Sequence, residues 1–77
     1  MKKKTLHEAI MLILQEHDNK WMDIEEIADE INRRNLYSRK KDNQPLPGYQ
    51  VHLRTMTAHY QHLFDRDGSL VRLREQE

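Results

Sequence analysis

The sequence predicts a mainly α fold with a small β-hairpin: three helices closed by two short strands, in one domain spanning residues 1–77. Three observations carry that reading. Two segments open on capping-box patterns and run on with apolar residues at helical spacing. A proline stands where a third helix would start. An Asp-Gly pair separates two short apolar segments near the C-terminus, as a tight hairpin requires.

The first helix begins at Thr5-Leu6-His7-Glu8, where the Thr5 hydroxyl can accept the Glu8 amide and the Glu8 carboxylate can reach back. Leu6, Ala9, Ile10, Ile13 and His17 follow as one stripe. The run Ala-Ile-Met-Leu-Ile-Leu would also suit a buried strand; the cap and the length to His17 decide for helix. Asp18-Asn19-Lys20 breaks the pattern as a turn, and Trp21-Met22 has room only for an edge bridge. Asp23-Ile24-Glu25-Glu26 is a second capping box, with its acids at the positive end of a helix dipole. Ile24, Ile27, Ala28 and Ile31 form the inner face of this second helix, which closes on Arg33 and Arg34 at the negative end.

Residues 35–46 are polar and basic, with Leu36 and Tyr37 expected under the core. Pro47 suits the first position of a third helix, where its missing amide is not needed. Tyr49, Leu53, Met56, Thr57 and Tyr60 then share a face expected to point inward, and the helix is expected to end near Tyr60 or Gln61. Leu63-Phe64, Arg66-Asp67-Gly68-Ser69 and Leu70-Val71-Arg72-Leu73-Arg74 read as the hairpin, with Arg72 and Arg74 on its exposed side. Residues 1–4 are expected as a basic disordered tail and 75–77 as a frayed end. Helix, bridge, helix, helix, hairpin is the order of a three-helix winged helix-turn-helix.

Size and composition narrow the function. A chain of 77 residues buries only roughly 60% of the surface it exposes when unfolded, which leaves little room for a deep catalytic pocket. It has no cysteine, hence no disulfide, thiolate metal site or cysteine nucleophile. The longest apolar run, from Ala9 to Leu14, is far short of the ~20 residues of a membrane span, and the pattern of a signal peptide fails after Lys2, Lys3 and Lys4. The chain therefore reads as soluble and cytoplasmic, with no membrane partner. Ser38 and Ser69 lie in expected turns without a glycine elbow, and no Gly-rich phosphate loop exists, so no enzyme is expected. His59, His62 and Asp65 are spaced by three, but the weak pattern leaves the expectation at no metal and no cofactor.

Net charge is zero, yet the charges are sorted along the chain. Residues 5–32 hold eight acids against Lys20 alone, a net −7; residues 33–54 hold six bases against Asp42 alone, a net +5. Blocks of this kind can orient a domain on a polyanion. With the apolar face of the third helix inward, Gln50, Arg54, Thr55, Ala58 and His59 point outward or to the sides. Arginine pairs with guanine edges, glutamine with adenine, and threonine with a base or a phosphate. Gln50, Arg54, Thr55 and His59 are therefore candidate contacts to double-stranded DNA. The loop Ser38-Arg39-Lys40-Lys41 is the candidate phosphate clamp, with Arg33 and Arg34 close in sequence and Arg66, Arg72 and Arg74 along the hairpin. The plain alternative at each position is a solvated polar surface. Glu25, Glu26, Asp29 and Glu30 would repel phosphates; they suit a basic protein partner, or simply the dipole of an exposed helix. A second class of function is thus a protein-interaction module of the same fold, using that acidic face or an apolar patch near Met11, Leu12 and Val51. The oligomeric state is open.

The residues also carry a family resemblance. Leu6-His7-Glu8-Ala9-Ile10, then Ile24-Glu25-Glu26-Ile27-Ala28-Asp29-Glu30-Ile31 with Leu36-Tyr37, and finally 62–73 as the wing, resemble the HARE-type helix-turn-helix domains. These winged helix modules occur in bacterial proteins including restriction enzymes, in the bacterial RNA polymerase delta subunit, and in eukaryotic chromatin proteins. The resemblance spans about residues 5–74 and rests on core and turn positions. It implies a winged helix that binds DNA or links DNA-binding machinery to other proteins, and with that a part in transcription regulation in a bacterial cell. In one respect the chain departs from simple helix-turn-helix proteins: about twelve residues, against the usual 3–4, separate its second and third helices.

Overall fold

The computed structural model describes residues 5–37 and 45–74. The element order is α1 (Leu6–Glu16), β1 (Met22–Asp23), α2 (Ile24–Arg34), α3 (Gly48–Met56), a 3-10 turn (Gln61–Leu63), β2 (Phe64–Asp67) and β3 (Leu70–Leu73). The three strands form one antiparallel sheet in the order β1-β3-β2. Three helices with a small winged sheet are the fold class the sequence predicts.

Local chemistry accounts for the boundaries. Thr5 closes the expected capping box: its hydroxyl accepts the Glu8 amide at 3.4 Å, and Glu8 Oε1 accepts the Thr5 amide at 3.0 Å. Asp23 caps α2 differently from expectation. Its carboxylate takes the Glu25 amide at 2.8 Å and the Ser69 hydroxyl at 2.6 Å, which ties the start of α2 to the tip of the wing. Asn35 ends α2 in the left-handed region, φ 55°, a conformation asparagine tolerates better than most residues. Gly68, φ 60°, supplies the positive φ of the hairpin turn.

The core joins all three helices to the sheet. Leu6, Ala9, Ile10, Ile13 and Leu14 of α1 meet Ile27, Ala28 and Ile31 of α2, Val51 of α3, and Met22, Leu46, Phe64 and Val71. Leu36 and Tyr37 pack against this cluster as expected. On α1 the inner stripe takes Leu14, whereas His17 is exposed as the C-cap.

The third helix is rotated from the expected phase. Gly48, Val51 and Thr55 are its buried residues, whereas Tyr49, Leu53 and Met56 are 56%, 50% and 48% exposed. Val51, expected in an exposed patch with Met11 and Leu12, is fully buried; Met11 and Leu12 are half-buried. The reason is steric and polar together. Small side chains at 48 and 55 leave space on the buried side, and the one polar group this buries is satisfied in place: the Thr55 hydroxyl donates to the Val51 carbonyl at 2.9 Å. The helix is also shorter than expected. Pro47 is its N-cap, with Gly48 as the first helical residue, and the chain leaves helix at Thr57 (φ −62°, ψ 136°), so 57–60 form a turn.

Candidate nucleic-acid interface

In a winged fold the surface that can meet a polymer is built from α3 and the hairpin, so the position of each candidate residue follows from those two elements. The exposed face of α3 is apolar at its centre, through Tyr49, Leu53 and Met56. Gln50 and Arg54 are half-buried on one flank. The arginine lies over the Tyr60 ring, its guanidinium carbon 5.2 Å from the centroid, and it is paired with no carboxylate among the described residues. No acidic residue occurs in α3.

Thr55 is corrected outright. Expected to face outward, it has no exposed surface, and its hydroxyl is held by Val51 and His52 carbonyls and by Arg66. Arg66 is corrected with it. Its guanidinium is turned inward as a staple between wing and helix. Nε donates to the Leu70 carbonyl (3.1 Å), Nη1 to Thr55 Oγ1 (2.8 Å) and the His52 carbonyl (3.4 Å), and Nη2 to the Gly68 carbonyl (2.5 Å). Nη2 also lies 3.0 Å from His52 Nδ1. Burial pulls the Arg66 guanidinium below its ordinary pKa, as expected for a cation surrounded by neutral acceptors.

The remaining arginines are not segregated from acid as the charge blocks suggested. At the end of α2, Arg34 grips the Glu16 carboxylate with both Nη atoms, at 2.5 and 2.8 Å, and Arg33 pairs with Glu30. The Arg34 hydrogen bond holds Glu16 below the usual carboxylate range. On the wing, Asp65 receives Arg72 Nε at 3.3 Å and Arg74 Nε at 3.2 Å. Asp65 and Arg72 are register partners across β2 and β3, so their pairing follows from the hairpin. Two guanidiniums on one carboxylate still leave the wing one net positive charge. Arg72 also lies over the Trp21 ring, 4.6 Å from its centroid.

His59, expected on the third helix, sits in the turn after it, exposed and edge-on to Tyr60 at 4.7 Å. His7, from the start of α1, stacks on the same ring at 4.5 Å. Nothing in the sequence marked Tyr60 as the meeting point of α1 and α3. Arg39, Lys40 and Lys41 lie outside the described residues. On the expected acidic face, Glu26 and Asp29 are exposed, Glu30 is spent on Arg33, and Glu25 lies over the start of α3, where a Cβ at Gly48 would run into its carboxylate. No described helix is long and apolar enough to cross a membrane.

Compared with known proteins, the chain matches the HARE-HTH family, described as an ASXL and restriction endonuclease HTH domain, over residues 4–76. No curated protein and no solved structure matches it.

Proposed function

The chain belongs to the HARE-HTH family, and from that premise we propose that it binds double-stranded DNA. The flank of α3 and the wing face the duplex, and the basic loop clamps its backbone. A winged helix module of DNA-binding type supplies the setting. The observation that carries the reading is Arg54: an arginine on an acid-free helix, held by an aromatic ring instead of a carboxylate. It is thereby left able to meet a phosphate or a guanine edge. Gln50 lies on the same flank, His59 follows in the next turn, and Arg72 and Arg74 bring a net charge to the wing. Arg39, Lys40 and Lys41 belong to the proposal as phosphate contacts from the loop between α2 and α3. Arg33 and Arg34, neutralised by Glu30 and Glu16, are its weakest members, and Thr55 and Arg66 act in it only by holding the fold.

The test is a titration of a labelled random-sequence duplex at two salt concentrations. Affinity should fall steeply with salt, and Arg54→Gln should flatten the slope by about 0.9 for one lost phosphate contact. A duplex that fails to bind at low salt refutes the proposal.

A second reading is favoured by the apolar centre of α3. Tyr49, Leu53 and Met56 are neighbours at helical spacing, each about half exposed, and such a contiguous patch suits another polypeptide. In that case Leu53→Asp abolishes partner binding, while the salt titration shows no duplex affinity to lose.

A further inference from the structure

The corner around Tyr60 is a convergence of basic side chains from three separate stretches of chain. His7 comes from the first turn of α1, Arg54 from α3, and His59 from the turn that follows α3. Each is centred within 5.2 Å of the Tyr60 ring centroid. The two ends of α3 differ sharply in what they offer an anion. Its N-terminus lies beneath the Glu25 carboxylate, which repels phosphate. Its C-terminal half carries Arg54 and leads into the Tyr60 corner.

We propose that His7, Arg54, His59 and the Tyr60 hydroxyl form a phosphate-binding corner for a polynucleotide backbone, with one fixed cation and two that are gained on acidification. The inference rests on the DNA-binding reading and extends it to His7 and Tyr60, two residues outside the expected interface. The charged and titratable surroundings are few. His7 faces the Thr5 hydroxyl, 3.2 Å from its Nδ1, with Glu8 next to it in the chain and bonded to that same hydroxyl. The positive end of α1 opposes its protonation and Glu8 favours it. His59 meets the Tyr60 ring edge, and Arg54 lies over that ring. Lys2, Lys3 and Lys4 directly precede Thr5 in sequence and add to the basic character of this end of the chain.

Imidazole titrates near pH 6.5. Neutral at pH 7.5, each ring can offer one N–H to a phosphate oxygen; charged at pH 5.5, each becomes a full counterion. Two added phosphate charges steepen the salt slope by up to about 1.8, equivalent to up to about 30-fold in affinity near 0.15 M salt.

The experiment uses the full chain and a labelled random-sequence duplex, read by fluorescence anisotropy at pH 7.5 and 5.5 and at two salt concentrations. Folding of every variant is checked by circular dichroism at both pH values. Expected is tighter binding and a steeper salt slope at pH 5.5, a pH ratio that collapses in His7→Gln/His59→Gln, and a ratio kept in His17→Gln at the far end of α1. Duplex binding whose pH ratio is unchanged in the double variant overturns the corner and leaves the DNA reading standing. Absence of duplex binding at both pH values overturns both.

Discussion

Replacing Arg66 by methionine keeps the apolar stem of the side chain and deletes the guanidinium that joins wing to α3. Four donor contacts, to Leu70, Thr55, His52 and Gly68, disappear together, and His52 Nδ1 loses its neighbour. Hydrogen bonds from a charged donor are each worth about 1.5–3 kcal/mol, but their sum overstates the loss. The buried guanidinium is itself partly desolvated, a cost the methionine escapes. The Gly68 carbonyl, at the exposed hairpin tip, is free to turn to water, and the Thr55 hydroxyl keeps its bond to Val51. What remains uncompensated is the inner pair, the His52 and Leu70 carbonyls, at roughly 1 kcal/mol each. The expected destabilisation is about 2 kcal/mol, or about 8–16 °C in Tm for a domain of this size. Arg66→Lys should recover less than half of it, because an ammonium cannot span acceptors laid out for a planar fork. Thermal and urea denaturation followed by far-UV circular dichroism measure both variants. A loss under about 0.5 kcal/mol for Arg66→Met would show that the staple does not hold the wing.

The phase of α3 can be checked by a pair of substitutions: Val51→Ala should cost about 2 kcal/mol through lost burial and a cavity, and Leu53→Ala under about 0.5 kcal/mol, with the reverse order placing Leu53 inside. Gly48→Ala should be tolerated to within about 1 kcal/mol, because the only obstacle to its methyl is the mobile end of Glu25; urea unfolding that shows a loss above about 2 kcal/mol would mean the backbone of α2 blocks the space. Asp23 is held below the ordinary carboxylate range, first by the Ser69 hydroxyl and then by the Glu25 amide. Its contribution to stability is therefore present above about pH 4 and is lost as pH falls through the lower folded value. Ser69→Ala should shrink the fall in Tm between pH 5 and pH 2.5, and an unaltered fall would remove Asp23 from the account.

Much of the fold is legible because it is written in local chemistry. The Thr5–Glu8 cap, the Asp-Gly turn and the Trp21-Met22 bridge need only a few neighbouring residues to be read. The face of α3 is not of this kind. Two stripes compete there, 49/53/56 and 48/51/55, and the bulkier one reads as the core face by hydrophobicity alone. The smaller stripe is the buried one, because close packing favours residues that leave room, and because a threonine hydroxyl can be satisfied inside by a carbonyl of its own helix. The interface was harder still. Counting charge along the chain places Arg33, Arg34, Arg72 and Arg74 in a basic surface, but Glu16, Glu30 and Asp65 come to them through folding. Only the Asp65–Arg72 pair could be read in advance, from hairpin register. Arg66 carries no sequence mark distinguishing it from its solvent-facing neighbours.

The small sheet has a mechanical consequence. At its tip, the Ser69 carbonyl accepts the Ile24 amide and the Ser69 hydroxyl grips Asp23. At its root, Asn19 bonds both the amide and the carbonyl of Leu73, at 2.6 and 3.0 Å. A hairpin splinted at both ends to the helical body has no hinge. An incoming polymer meets a shape already set, spends little entropy ordering the protein, and must do the bending itself.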